Sequence, residues 1–273
     1  MRVSFRVWAV TLLVLAATPA GAFEIDVPPV QGGLVHGTVA PGSRVWFAGR
    51  ELRVTPDGGF VIGFGRNSGP DAEIRIEGPD GRVRTETLPV AARTWPVQRI
   101  DGLPPGKVTP RSAEDLARIQ REAALIQRAK ARDTAADGFA EAAIWPARGP
   151  VSGVFGSQRI LNGNPRSPHR GVDVAAPEGA PVTAMASGTV SLAEADLFFT
   201  GGTVIIDHGH GVHSIYAHLS QVDVAEGQEV AQGARIGAVG ATGRATGPHL
   251  HWGVYWFDRA VDPALLVGPM PAS

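Results

Sequence analysis

Histidine is concentrated in one part of this 273-residue sequence. Seven of the eight histidines fall in a single stretch, at positions 169, 208, 210, 213, 218, 249 and 251. Imidazole is a common neutral ligand of metal ions and the usual general base near pH 7. The sequence contains no cysteine, which excludes disulfides, thiolate metal sites, cysteine nucleophiles and a lipoprotein anchor. These observations point first to zinc or a similar divalent ion held by nitrogen and oxygen ligands.

Two of these histidines lie in an alternating segment. Residues 248–256 (PHLHWGVYW) carry an apolar residue at every second position, which predicts a β-strand. One face of that strand would carry His249 and His251. The opposite face, turned to the core, would carry Leu250, Trp252, Val254 and Trp256. Two imidazoles would then project into a common space from a rigid element, as a precise site requires.

A second strand is predicted over residues 212–219 (VHSIYAHL). Alternation places Tyr216 and His218 on one face of this strand and His213 on the other. We therefore expect His218 to join the site, with Tyr216 beside it as a substrate-binding residue.

Residues 207–211 (DHGHG) are typical of a hairpin turn. A solvated turn is the simpler interpretation of this segment. The functional alternative is that His210 contributes to the rim of a substrate groove, because loops near a site often carry binding residues.

Residues 167–173 (SPHRGVD) supply a further candidate ligand pair, a histidine and a carboxylate. Proline and glycine argue against a regular helix here, but an extended chain also places His169 and Asp173 on one side. One carboxylate with two histidines is a recurrent zinc set. Either His249 or His251 could complete it. The other one, together with His218, would be free for proton transfer or for stabilising an oxyanion.

Three motifs in this order and spacing resemble those of lysostaphin-type (LytM-domain) zinc metallopeptidases, which cut peptide cross-links in bacterial peptidoglycan. The motifs are His169-x-x-x-Asp173, YAHL at residues 216–219 and GPHLH at residues 247–251, and the resemblance covers about residues 145–262.

The resemblance implies one Zn²⁺ ion bound by His169, Asp173 and His251, with His218 and His249 as the catalytic histidines that do not bind the metal. It also implies a β-rich fold of the duplicated hybrid motif type, similar to a barrel-sandwich hybrid, with a groove over the metal. The partners would be the stem peptides and cross-bridges of peptidoglycan.

The first 22 residues are typical of a signal peptide. Arg2 and Arg6 precede an apolar run at residues 7–17, and residues 20–22 (AGA) form a small-x-small cleavage site. The run is shorter than the roughly 20 residues that span a bilayer. We expect cleavage after Ala22, a periplasmic or secreted protein, and no stable membrane anchor after cleavage.

The rest of the chain divides into three predicted parts and is mainly β. Residues 23–108 contain short strands separated by turns, which predicts a small β-sandwich as an accessory domain. Residues 109–140 are predicted to form a helical connector and residues 141–273 the peptidase domain. The connector's apolar stripe is Leu116, Ile119, Ala123 and Ile126.

The ends of the connector helix are also predicted. A start at Ser112, with Asp115 three residues later, resembles a capping box, and Thr109 followed by Pro110 is a competing start. Asp137 and Gly138 are expected to end the helix.

Composition limits the partners. The sequence has 25 basic and 26 acidic residues, so it offers no general attraction to nucleic acid, and binding to the cell wall would depend on a shaped groove. The cross-link could join D-Ala to a diamino acid or could be a Gly-rich bridge. The accessory domain could cover the groove, dock a divisome or other regulatory protein, or act as a spacer.

A catalytically inactive LytM-like protein that binds the wall or activates an amidase is the alternative function. All five motif positions are filled here, which favours the enzyme.

Overall fold

The computed structural model describes residues 23–271, so the predicted signal peptide lies outside the described residues. The strands are β1 (Glu24–Ile25), β2 (Leu34–Thr38), β3 (Arg44–Phe47), β4 (Arg50–Leu52), β5 (Gly59–Gly63), β6 (Asp71–Glu77), β7 (Val83–Pro89), β8 (Val97–Ile100), β9 (Val151–Gly153), β10 (Gln158–Leu161), β11 (Asn164–Pro165), β12 (Val172–Ala175), β13 (Pro181–Thr183), β14 (Gly188–Leu197), β15 (Gly201–Asp207), β16 (Val212–Val222), β17 (Glu229–Val230), β18 (Arg235–Val239), β19 (His249–Trp256) and β20 (Arg259–Val261). The helices are α1 (Pro105–Val108) and α2 (Ala113–Lys130), with two 3-10 turns at Gly138–Ala140 and Pro263–Leu265. Within residues 23–271, no helix has the length and apolar character needed to cross a membrane.

The first part of the chain forms two small sheets that face each other, as predicted. One has the strand order β1-β2-β5 and the other β4-β3-β6-β7. The strands β3, β6 and β7 of the second sheet alternate because one face of that sheet is buried, whereas β5 of the first sheet is buried along four of its five residues. In β6, Ile74 and Ile76 are buried, while Glu73 and Arg75 are exposed. The prediction of a mainly β protein with an N-terminal sandwich is confirmed.

The second part is built on a ten-stranded sheet. Its main path runs β17-β14-β15-β16-β19-β12-β9, and β13, β18 and β20 pair alongside it. The neighbours of β19 on this path are β16 and β12, both antiparallel to it. Side chains from these three strands are therefore brought to one place in the sheet.

The sandwich and the main sheet share one apolar core. The ring of Phe47 packs against the ring of Trp256, with 5.6 Å between their centroids. Gly63 lies against the same tryptophan, and a Cβ atom at position 63 would be 2.5 Å from Cβ of Trp256. The accessory part is thus packed tightly onto the part that carries the histidines.

Helix α2 begins where the capping box predicts. Oγ of Ser112 accepts a hydrogen bond from the backbone N–H of Asp115 at 3.0 Å. The helix ends at Lys130, so the expected end at residues 137–138 is wrong. The residues that follow run as irregular chain over the main sheet, where the backbone carbonyl of Thr134 accepts from the N–H of His210 at 3.0 Å.

The buried face of α2 differs from the predicted stripe. Leu125, Ile126 and Ala129 pack on the main sheet, but Leu116 is 46% exposed. The contact surface also includes a polar residue, because Glu122 accepts a hydrogen bond from the backbone N–H of Phe198 at 2.7 Å. A search for apolar periodicity cannot detect a helix face that is partly polar.

A three-stranded sheet, β11-β10-β8, joins the two parts. β8 runs parallel to β10, with Gln98 opposite Arg159. β8 comes from the predicted accessory domain and β10 from the predicted peptidase domain. The sheet therefore crosses the proposed boundaries at residues 108 and 140.

Candidate functional site

The candidate site lies where β12 and β19 pair. Asp173 stands directly opposite His251 in this antiparallel pair. In β19, His249 and His251 are half-buried on one face. The opposite face carries the fully buried side chains of Leu250, Trp252 and Val254, so the predicted alternation is confirmed.

Three donor atoms converge at this point. Nε2 of His169 lies 3.0 Å from Oδ1 of Asp173 and 3.0 Å from Nδ1 of His251. Nδ1 of His251 lies 2.9 Å from the same carboxylate oxygen. Zinc accepts two imidazole nitrogens and a carboxylate oxygen, and tetrahedral ligands bound at about 2.0 Å stand roughly 3.3 Å apart. The donor set and its spacing therefore fit a zinc ion.

His169 reaches the site from the loop before β12. Its Nδ1 donates a hydrogen bond to the carbonyl oxygen of Val154 at 3.1 Å, which leaves the lone pair of Nε2 facing Asp173. The loop passes close to β19 at Gly171. A Cβ atom at this position would be 2.4 Å from the carbonyl oxygen of Trp252, so the approach requires glycine.

Burial and local contacts set the charges of these ligands. Burial lowers the pKa of His169 to about 4, so its imidazole is neutral and able to bind a metal near pH 7. Burial by itself would raise the pKa of Asp173, but its close contacts with His169 and His251 hold the pKa well below its usual value. The other carboxylate oxygen, Oδ2, accepts a hydrogen bond from Nη2 of Arg159 at 2.6 Å. Asp173 is therefore ionised and held in one orientation.

The two remaining predicted histidines, His218 and His249, lie side by side with ring centroids 4.8 Å apart. Nδ1 of His218 donates to the carbonyl oxygen of Thr242, and Nδ1 of His249 donates to that of Gly247, both at 2.8 Å. Because a carbonyl only accepts hydrogen bonds, each neutral ring keeps a lone pair on Nε2. Nε2 of His249 is 3.9 Å from Oδ1 of Asp173, farther than the donor atom of His251.

The environment keeps His218 in its basic form. Burial, followed by repulsion from His249 and His251, lowers the pKa of His218 to about 3. Near neutral pH its Nε2 can accept a proton or a hydrogen bond. The site therefore combines three metal donors with two imidazoles placed for proton transfer.

The prediction that Tyr216 binds substrate is wrong. Tyr216 stands opposite Trp252 in the β16–β19 pair and is fully buried in the core, where its hydroxyl accepts from the N–H of Met185 at 2.9 Å. The predicted alternation fails at His218, whose φ of 65° is in the left-handed region. This conformation turns the His218 ring to the side of His251, 6.1 Å away between centroids.

The prediction that His210 contributes to the groove rim is also wrong. His210 lies in the turn before β16, eight residues before His218. At about 3.3 Å per strand residue, the two histidines are roughly 25 Å apart. The His210 ring is buried and stacks on Phe139 with 4.0 Å between centroids. His213 does not join the site, as predicted, but it lies on the same face of the sheet as His251 and not on the opposite one: it pairs with Tyr255, four residues along β19 from His251. Its Nε2 lies 3.0 Å from the carbonyl oxygen of Arg132.

Two cavities are lined by His218, one of the two proposed catalytic histidines. The first, of about 520 Å³, lies between α2 and the main sheet and is lined in part by His169, His218 and His251. The second, of about 310 Å³, borders β8 and β10 and is lined in part by Asp173, His218 and His249. His218 lines both cavities and so marks the place where they meet.

Sequence reasoning missed Arg159 and Arg244, which also line both cavities. A compositional signal could have indicated them. Residues 151–273 contain no lysine and six arginines, and four of these line the cavities, at positions 159, 166, 170 and 244.

Known proteins match the segment of the chain that carries the candidate site. A model described as Peptidase family M23 matches residues 167–263. The DD-carboxypeptidase/endopeptidase Mpg of Neisseria meningitidis is 44% identical over 103 residues, which are 38% of this chain and 24% of Mpg. The peptidoglycan DD-endopeptidase ShyA of Vibrio cholerae is 40% identical over 107 residues, which are 39% of this chain and 25% of ShyA. The chain thus matches about a quarter of the length of these curated relatives.

A solved structure from Pseudomonas aeruginosa, described as a peptidase M23, matches far more of the chain. It is 34% identical with a TM-score of 0.70, and the match covers 89% of this chain and 96% of that one. The family model spans all five motif residues, from His169 to His251. Identity at this level over nearly the whole of a solved relative shows that the chain belongs to peptidase family M23.

Proposed function

We propose that the protein is a zinc-dependent endopeptidase that hydrolyses peptide cross-links of bacterial peptidoglycan. The observation that carries the proposal is the convergence of the His169, Asp173 and His251 donor atoms within 3.0 Å of one another. Two further imidazoles lie beside them at the meeting point of two open cavities. This arrangement meets the geometric requirements of metal-assisted hydrolysis.

Zinc bound by these three residues would polarise the scissile carbonyl group and acidify water. The chain's own residues supply the rest of the chemistry. His218 has its Nδ1 proton fixed on the Thr242 carbonyl, so its Nε2 is the atom that takes a proton. His249 is held in the same way by Gly247. One of the two histidines acts as the base, and the other, once protonated, stabilises the developing oxyanion.

The substrate assignment is supported by the names of the relatives. Mpg is named a DD-carboxypeptidase/endopeptidase and ShyA a peptidoglycan DD-endopeptidase. The matched region contains the five motif residues, and the accessory part of this chain lies outside it. Export to the periplasm or the medium, with signal cleavage after Ala22, is part of the same proposal because the substrate lies outside the cytoplasm.

The test combines metal analysis with digestion of a defined substrate. We expect the purified protein to contain one zinc ion per chain and to release peptides from purified sacculi. Chelation should stop the release and added zinc should restore it. Mass spectrometry of the fragments from defined muropeptide dimers would identify the bond that is cut. Zinc-replete protein that leaves sacculi and dimers intact would contradict the proposal and favour the alternative of an inactive regulator.

A further inference from the structure

The two cavities beside the candidate zinc site are strongly cationic. Asp173, which faces the donor atoms, is the one carboxylate among their lining residues. The cationic lining residues are Lys130, Arg159, Arg166, Arg170 and Arg244. The whole chain has a net charge of −1, so this positive charge is a local feature and not a consequence of composition. A bound zinc ion would add to it.

Arg244 lines both cavities together with His218. Its backbone N–H donates to the carbonyl oxygen of Phe199 at 2.9 Å, and its guanidinium lies 4.6 Å from the centre of the Phe199 ring. Thr242, two residues earlier, accepts the hydrogen bond from Nδ1 of His218. The guanidinium is therefore placed by the same loop that fixes a proposed catalytic histidine.

Arg166 lies in the first cavity with part of its hydrogen-bonding capacity unused. Its Nη2 donates to the carbonyl oxygen of Val108 at 2.9 Å and to Oγ1 of Thr109 at 2.7 Å. Its Nε is buried and has no hydrogen-bond partner among the described residues. Arg159, in contrast, donates to Asp173.

The arginines also act on one another electrostatically. Burial lowers the pKa of Arg244, and repulsion from Arg159 and Arg166 lowers it further. Mutual repulsion of buried cations is unfavourable in the free protein. An anion bound between them would relieve that repulsion, and a carboxylate matches the planar geometry of a guanidinium.

We propose that Arg244 and Arg166 bind a carboxylate on the peptide next to the scissile bond, so that the substrate is an anionic cross-linked peptide and not a neutral Gly-rich bridge. The inference rests on the proposed function, since it assigns the substrate class of the same site. It chooses between the two kinds of cross-link that the sequence left open.

The test uses two synthetic cross-linked peptide dimers that differ in one group. The residue next to the scissile bond carries a free carboxylate in one dimer and a carboxamide in the other. Zinc-loaded wild-type protein should cleave the carboxylate form with a kcat/KM about 10- to 100-fold higher, the usual range for hydrogen bonds to a charged group. Arg244→Gln and Arg166→Gln should each reduce cleavage of the carboxylate form more than cleavage of the carboxamide form, so that the ratio of the two kcat/KM values falls toward one.

Arg82→Gln is the matched control, because Arg82 has a side chain that is 91% exposed and lies in the sandwich, away from the cavities. It should leave both rates unchanged. Zinc content and circular dichroism equal to wild type would show that each variant is folded. Equal cleavage of the two dimers by wild type, or an equal loss on both dimers in Arg244→Gln, would overturn the inference.

Failure of the proposed function would be visible separately. If zinc-loaded wild-type protein cuts neither dimer, the proposed activity is contradicted, and equilibrium binding of the two dimers to the same protein decides the inference. Tighter binding of the carboxylate form by about 10-fold or more, lost in Arg244→Gln, would support the carboxylate site. Equal binding of both forms would overturn it.

Discussion

The guanidinium of Arg159 lies 2.6 Å from Oδ2 of Asp173, on the opposite side of the carboxylate from the two histidine donors. Both side chains are well buried, with exposed fractions of 19% and 7%. Nε of Arg159 is itself directed at Oε1 of Gln98 on β8, 3.3 Å away. The carboxylate of Asp173, a proposed zinc ligand, is thus oriented by its ion pair with Arg159. Arg159 is in turn held by β8, a strand from the accessory part of the chain.

Replacing Arg159 by methionine should strongly destabilise the metal-free protein. The substitution leaves the Asp173 carboxylate buried without its cation, which typically costs about 3 to 5 kcal/mol. The free energy of unfolding from urea titrations in chelator would measure the loss. With zinc present the loss should be smaller, because the ion supplies positive charge to the same carboxylate.

The exposed pair between Arg82 and Asp80 provides the control for this experiment. Its side chains are 91% and 57% exposed, so Arg82→Met should change stability by less than about 0.5 kcal/mol. An equal loss in Arg159→Met with and without zinc would show that charge compensation at Asp173 is not its cause.

Substitutions of a ligand and of a catalytic histidine should separate metal binding from turnover. Asp173→Ala removes the only oxygen donor of the set and should abolish stoichiometric zinc binding. His218→Ala removes a proton acceptor that is not among the donors, so zinc should stay bound while kcat falls about 10²- to 10⁴-fold. Metal content by mass spectrometry and steady-state cleavage of a muropeptide dimer would check both. Zinc retained in full by Asp173→Ala would refute the ligand assignment.

The stability of the metal-free protein should fall as the pH falls from about 6.5 to about 4. Burial lowers the pKa of His208 from 6.5 to about 4, so over this range the unfolded chain takes up a proton at His208 that the folded protein does not. The stabilisation is complete above pH 6.5. At about 1.4 kcal/mol per tenfold change in proton affinity, this residue accounts for a loss of up to about 3 kcal/mol.

His208→Gln isolates this contribution from that of the other buried histidines. The native ring donates from Nδ1 to the carbonyl oxygen of Ser187 at 2.8 Å, and its Nε2 lies 2.7 Å from Oγ of Ser214. Urea unfolding at pH 7.5 and pH 5 should show a smaller difference in the variant than in wild type. An unchanged difference would mean that His208 does not cause the pH dependence.

The packing of the sandwich on the main sheet predicts a further result. Gly63→Ala places a Cβ atom 2.5 Å from Cβ of Trp256, a part of that side chain that cannot move without its backbone. We expect a loss of about 1 to 3 kcal/mol in the free energy of unfolding. Gly65→Ala, where nothing lies within 4 Å of the new atom, should be neutral or slightly stabilising. Equal stabilities of the two variants would mean that the interface is looser than described.

The part of the site that could be predicted depends on local periodicity. The two faces of β19 follow from the strand period of two, which the sequence displays from Leu250 to Trp256. The same period of two places His218 on the face of Tyr216, but its ring lies on the side of His251, because its left-handed φ breaks the alternation. No residue type nearby signals this conformation. Tyr216 was misassigned for the same reason.

The cationic surroundings of the site could not be predicted because they are assembled from distant segments. Arg159 lies ten residues before His169 and Arg244 lies 26 residues after His218. Their approach to the ligands depends on parallel pairing of β8 with β10 and on the loop fixed by Thr242. Pairings of this kind have no local sequence pattern. The buried face of α2 could not be predicted because it includes Glu122, which accepts a hydrogen bond from the backbone N–H of Phe198.

The parallel pairing of β8 with β10 has a consequence for how the protein acquires its activity. The two strands are separated in sequence by α2 and about 60 residues of chain, and pairings between such distant segments form slowly. Arg159, which orients Asp173, can therefore make its contact with Gln98 only after the accessory part has folded against the rest of the chain. We therefore expect the orientation of the Asp173 carboxylate, and with it the geometry of the catalytic centre, to be completed late in folding.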